Sequence, residues 1–182
     1  MIRQGSKWST AILVGILFVS FMLLALGLAI YSNSLTTWWI PVLPAAMVSL
    51  GTAPMLCRKW RRLTDVKNWI VNLICHVFVV GSITYSAFLC INYWGADEAS
   101  DVTENTEVVN KYRQAHTRYR RVGRNRRVAD GEYYSYHLLL KFSDGREKAV
   151  EVPFSSYRNV KVGGHRILHV QDGLLGIRVI KK

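Results

Sequence analysis

Apolar and polar positions follow two different rules along this chain, and the change falls near Trp94. Before it, apolar residues run in long unbroken blocks. Residues 11–30, AILVGILFVSFMLLALGLAI, hold no charge and suffice to cross roughly 30 Å of hydrocarbon. Residues 38–57 form a second block containing Pro41, Pro44 and Pro54. Those prolines would break a soluble helix but are tolerated in a membrane helix whose neighbours satisfy the freed backbone groups. Trp38 and Trp39 stand where an aromatic belt belongs. Residues 69–91 form the third block, closed by Tyr93 and Trp94. The pattern predicts three transmembrane helices within residues 1–94.

Inside the spans the polar residues are few and spaced. Ala45, Ser49 and Ala53 recur every fourth position, a small-residue face suited to close helix packing and to contact with another membrane protein. Asn68, Asn72, Cys75, Ser82 and Ser86 make one stripe on the third span, with His76 beside it. Such a stripe faces other helices and hydrogen-bonds across the interface. An intramembrane histidine can relay protons or bind metal. His76 has no second ionisable side chain in any span, so it is read with Asn72 as a helix-packing residue.

Residues 95–106 read as an acidic linker, after which the period becomes two. Tyr134, Tyr136, Leu138, Leu140 and Phe142 alternate with Ser135, His137 and Lys141, as on a half-buried strand. Ser143-Asp144-Gly145-Arg146 is a hairpin turn, and the return strand carries Val150 and Val152 on one face until Pro153. Gly163-Gly164 opens a strand over 165–170, Asp172-Gly173 turns it into a last strand over 174–180, and 108–121 supplies the first, with Val109 or Tyr112 facing inward. Five short strands in residues 107–182 predict a small all-β domain, a five-stranded antiparallel barrel of SH3-like or OB-like type.

Charge adds an orientation. Residues 1–110 carry 7 basic and 6 acidic side chains, whereas 111–182 carry 17 and 6. The link after the first span is uncharged, while Arg58, Lys59, Arg61, Arg62 and Lys67 follow the second against Asp65 alone. The positive-inside rule puts that basic link and the N-terminus in the cytoplasm. Three crossings then place the C-terminal domain outside it, as a multi-pass inner-membrane protein. The acids Asp97, Glu98, Asp101, Glu104 and Glu107 after the third span agree, and the basic domain begins too far from the span to reverse the assignment. The first span also competes with a secretory signal peptide cut near Ala25-Leu26-Gly27; its length exceeds the usual apolar core of one.

The strand 134–142 with its Ser-Asp-Gly turn, and the pair Val162-Gly163-Gly164 and Gly173-Leu174-Leu175-Gly176, carry a resemblance. On these residues the chain resembles the uncharacterised bacterial membrane proteins whose few helices bear a small β-barrel module. The resemblance covers about half the chain. It implies an architecture and a bacterial source, and no site.

Catalytic patterns are missing from the sequence. His165 and His169 on a strand lie about 13 Å apart, too far to share a metal. Ser155 and Ser156 follow Pro153 in a turn without a nucleophile-elbow context. The linker acids lack calcium-loop spacing, no phosphate-cradling glycine loop occurs, and Cys57, Cys75 and Cys90 all sit in or beside apolar spans. No catalytic residue, metal or cofactor is therefore expected. The strongest chemical feature is RYRRVGRNRR, with Arg118, Arg120, Arg121, Arg124, Arg126 and Arg127 around a turn at Gly123 and Asn125. Arginine's planar fork favours phosphate and carboxylate, so these residues are the expected polyanion-binding element. The leading expectation is a non-enzymatic, membrane-anchored interaction module whose partner is an anionic lipid headgroup, an envelope glycan or an acidic protein. The alternatives are an accessory subunit of a membrane enzyme or transporter complex, and a cytoplasm-facing polyanion or nucleic-acid-binding regulator; nucleic acid is the disfavoured ligand.

Overall fold

The computed structural model describes residues 5–124 and 126–181, without the side chains of residues 5–7 and Cys57. Two compact units result: one comprises the residues up to Ser100 together with Gln171–Val179, the other Asp101–Val170 and the residues after Val179.

The first unit is built on three helices, α1 (Gly5–Ser32), α2 (Trp39–Thr64) and α3 (Trp69–Trp94). Each contains a stretch long and apolar enough to cross a membrane: Trp8–Ser32, Trp39–Leu56 and Trp69–Trp94. Their exposure pattern is inverted relative to a protein packed for water. Phe18, Met47 and Ile74 point outward, while Ser20, Ser49, Asn72, His76, Ser82 and Ser86 are buried. Hydrocarbon tolerates the first group on the outside, and the second group needs hydrogen-bond partners that lipid cannot offer.

Helix α2 outruns its apolar block. It continues through Arg58, Lys59, Arg61 and Arg62, so most of the basic connection is helix, and only four residues link it to α3. Arg61 and Arg62 lie in the last turn, where cations complement the helix dipole. Asp65, at φ 55°, ends the helix in the left-handed region, and the Asn68 side chain caps α3 by accepting from Ile70 N at 2.9 Å. Helices α1 and α3 approach closely at Gly27, where a Cβ would lie 2.8 Å from Ser86 Oγ. There Ser86 Oγ donates across to the Leu23 carbonyl at 2.6 Å.

Residues 171–179 are fastened to these helices. Fully buried Asn92 donates from Nδ2 to the Ile177 carbonyl at 2.9 Å and accepts from Leu175 N at 3.0 Å. Leu35 N donates to the Arg178 carbonyl at 2.8 Å, and Asp97 N to that of Asp172 at 3.1 Å.

The second unit carries strands β1 (Val102–Val122), β2 (Arg126–Lys141) and β3 (Glu147–Val152), a short helix α4 (Phe154–Asn159) after β3, and all but the last two residues of β4 (His165–Asp172) and the first two of β5 (Arg178–Lys181). The strand order is β3-β2-β1-β4-β5, and the three pairings β1–β2, β1–β4 and β2–β3 are antiparallel. The sheet is open, with β3 and β5 at its edges; the SH3-like or OB-like closure expected from strand count does not appear in this order. Strand count alone cannot predict closure, which depends on tilt and stagger between the end strands.

Three further expectations shift. Strand β1 begins at Val102, inside the predicted linker, because residues 102–107 pair with 165–170 of β4. Thr106 and Val108, rather than Val109 or Tyr112, are the buried β1 residues, and an extra residue at Val109 breaks the register between Val108 and Asn110. Ser155 and Ser156 lie in α4, and residues 174–177 form a turn ahead of the short β5. The core of this unit is Val108, Leu138, Leu140, Phe142, Val150, Val152 and Val170. Tyr136 adds tilted ring contacts to Phe154 and Tyr157 of α4, and Lys111 closes the end of that helix by donating to the Tyr157 and Val160 carbonyls.

Candidate functional site

Strand pairing explains how the arginine run is presented. Residues 102–107 of β1 are flanked by β4 and residues 136–141 of β2 by β3. Beyond these limits 114–122 and 126–135 pair only with each other. The result is a two-stranded ribbon of about 30 Å at ~3.4 Å per residue, turned at Gly123 with φ 72°. A glycine meets that positive φ without steric cost. A second device bends it: Asp130 and Gly131 (φ 90°) together oppose Arg118. This is a bulge, which increases local twist.

At the tip, Arg121 faces Arg127, Val122 faces Arg126 and Arg120 faces Val128. Directly opposed residues share a face, so Arg121 and Arg127 lie on one side and Arg120 and Arg126 on the other. Arg124 occupies the turn, and Arg121 Nη2 donates to its carbonyl at 2.6 Å. All six of Arg118, Arg120, Arg121, Arg124, Arg126 and Arg127 are exposed. Among the described residues, the two ion pairs found are Arg146–Asp144 and His169–Asp101, and neither lies on this ribbon. Like charges directly opposed across a strand pair cost stability, and Arg121 and Arg127 are opposed in this way.

Lower on the ribbon lies a set of residues that period-two reading did not single out. Tyr112 stacks on His137 with centroids 5.2 Å apart, and His116 on Tyr133 at 5.0 Å. Ser135 Oγ sits between them, 2.9 Å from His116 Nε2 and 3.1 Å from His137 Nε2. On the opposite face the Arg113 guanidinium lies 4.8 Å above the Tyr134 ring. The Glu132 carboxylate, accepting from Tyr134 Oη at 2.9 Å, raises the phenol's pKa. Only the register brings these residues together, and the two bulges conceal it from sequence.

The helix-packing residues form a second polar centre. His76 is fully buried on α3, with Trp60 Nε1 donating to its Nδ1 at 3.0 Å. Its Nε2 faces the Ser49 carbonyl at 2.9 Å and Thr52 Oγ1 at 3.1 Å. A donor at Nδ1 and a carbonyl at Nε2 assign the neutral tautomer with hydrogen on Nε2. Asn72 donates to the Val66 and Asn68 carbonyls and accepts from Thr64 Oγ1 at 2.6 Å. Ala45, Ser49 and Ala53 are buried as well, so this small face packs within the chain's own helices.

His165 and His169 stand on β4, both exposed, with His169 Nδ1 3.3 Å from the Asp101 carboxylate. Cys90 is buried and Cys75 half-buried, while the Cys57 side chain and Asn125 lie outside the described residues. Among the described residues no group of three or more His, Cys, Asp or Glu could hold a metal ion.

Taken together, the helices and sheet define a protein with three potential membrane spans and a small antiparallel β-domain bearing a cationic ribbon. Compared with protein-family models, curated proteins and solved structures, the chain matches none.

Proposed function

We propose that this protein is a non-enzymatic, membrane-anchored interaction module whose arginine ribbon contacts an anionic partner: a lipid headgroup, an envelope glycan or an acidic protein. The single observation that carries the reading is the unflanked ribbon, with six exposed arginines on both faces and at the turn and, among the described residues, no acid in an ion pair with them. Arginines whose backbone is held in paired strands lose less freedom on meeting phosphate or carboxylate than arginines on a loose loop. The charge excess of the second half of the chain points the same way. The basic end of α2 supports an extracytoplasmic placement of the β-domain in a bacterial inner membrane. The accessory-subunit reading relied on His76, whose two ring nitrogens are both engaged within the bundle.

The test uses the full chain in nanodiscs. Wild type is expected to bind polyphosphate and phosphatidylglycerol vesicles with an affinity that falls steeply with salt. Replacing the six ribbon arginines with serine is expected to abolish that binding while circular dichroism stays unchanged; undiminished binding would exclude the ribbon. Labelling a cysteine placed at exposed Ser155 in intact cells decides the side, and protection from an impermeant reagent would overturn the extracytoplasmic placement.

A further inference from the structure

The helical unit holds a groove of about 440 Å³ whose walls come from α1 and α2 and whose floor is α3. Leu24 and Leu28 supply one wall, Val42 and Ala46 the other, and Val77 and Gly81 the floor. Gly81 is why the floor is low: a Cβ built there meets no atom within 4 Å. Tyr31 and Trp38 stand at one end, beside the link between α1 and α2. Leu28, Val42 and Trp38 on its rim are exposed, so the groove is continuous with the apolar outer surface of the helices.

We propose that this groove is a binding site for one acyl chain of a membrane phospholipid, held lengthwise with its headgroup end at Tyr31 and Trp38. Length supports this occupant. On α2 the lining runs from Trp38 to Ser49, about 16 Å at ~1.5 Å per residue. One leaflet of hydrocarbon is half of roughly 30 Å. Width supports it too. That volume spread over that length leaves a channel about 6 Å across. A single hydrocarbon chain fills that width, whereas a partner α-helix, about 10–12 Å wide with its side chains, could lay only one ridge along it. The lining is apolar along the span and ends in two rings, of Tyr31 and Trp38, that each join an apolar body to a polar tip, the arrangement favoured at headgroup depth. Because α3 forms the floor, a seated chain would lie between the α1 and α2 walls. This site is independent of the arginine ribbon.

Native mass spectrometry of the full chain released from phosphatidylglycerol nanodiscs tests it. Wild type is expected to retain one phospholipid per chain after detergent exchange. Gly81→Phe, which raises the floor into open space, is expected to lower the retained fraction at least tenfold, and Ala46→Phe in the opposite wall is expected to do the same. Gly51→Phe, whose Cβ also meets nothing within 4 Å but lies outside the groove, is expected to retain the lipid. The proposal is overturned if wild type retains no phospholipid, if both filling variants retain it as wild type does, or if Ala46→Cys crosslinks quantitatively to a second copy.

Discussion

Gly173→Ala tests how residues 171–179 are fastened to the helices. A Cβ at this position would fall within 3.0 Å of both polar atoms of the Asn92 amide and of the Ile177 carbonyl oxygen. Neither neighbour can swing aside cheaply. The Asn92 amide is fully buried and already bonded to Ile177 O and Leu175 N, and the Ile177 oxygen also accepts from Gly173 N at 3.1 Å. The methyl must therefore displace the amide. Overpacking costs about 1–3 kcal/mol, and each buried polar group left unpaired costs about 1–3 kcal/mol. The expected loss is about 4 kcal/mol. Asn92→Ala, which strands Leu175 N and removes one of the two bonds to the Ile177 oxygen without the clash, is expected to cost about 2–3 kcal/mol. Because the alanine at 173 has already broken the Asn92 bonds, the double variant is expected to be no worse than Gly173→Ala, a coupling of about 2 kcal/mol. Denaturant titration in micelles gives the energies, and amide exchange at Leu175 reports the local release. A Gly173→Ala loss below about 0.5 kcal/mol, or strict additivity with Asn92→Ala, would refute the reasoning.

Three further outcomes are expected. Trp60→Phe removes the donor to His76 Nδ1 and is expected to cost about 0.6–1.7 kcal/mol, whereas His76→Ala, which also opens a cavity, is expected to cost about 2–4 kcal/mol; graded SDS unfolding separates them. Gly27→Val is expected to part α1 from α3 and lower the melting temperature, while Gly15→Val, whose Cβ meets nothing within 4 Å, is not. Lys148 pairs with Leu140 on the core face of the sheet, and burial pushes its ammonium below the usual pKa of 10.5. Between that lowered value and 10.5 the unfolded chain holds a proton the folded chain lacks, so stability rises as pH climbs through this window and is flat below it. Lys148→Met is expected to remove the rise, which urea titrations across alkaline pH would reveal.

The spans were legible because crossing hydrocarbon demands uninterrupted apolar length, a property of the sequence that needs no partner. The hairpin at Ser143–Arg146, the return strand to Pro153 and the opening of β4 at Gly163-Gly164 were legible for a similar reason: turn chemistry and period two are local. The arginine run was visible as composition, but its presentation was not. That depended on β4 and β3 stopping short at Glu107 and Tyr136 and leaving the rest of the hairpin as a ribbon.

Tertiary structure decided everything that hangs on register or on long separation. Tyr112 meets His137, and Ser135 meets His116, only after one bulge at Val109 and another at Asp130-Gly131 have set the pairing. Asn92 binds Leu175 and Ile177 across more than 80 residues, where periodicity carries no information. The openness of the sheet, the inward turn of the Ala45–Ser49–Ala53 face and the groove above Gly81 follow from how helices and strands cross. Sequence alone thus determined which segments can face lipid and which can pair as strands, because those are short-range demands of solvent and backbone. Which side chains meet was left to packing, because contact depends on the summed rotation and stagger of elements and no local pattern records that sum.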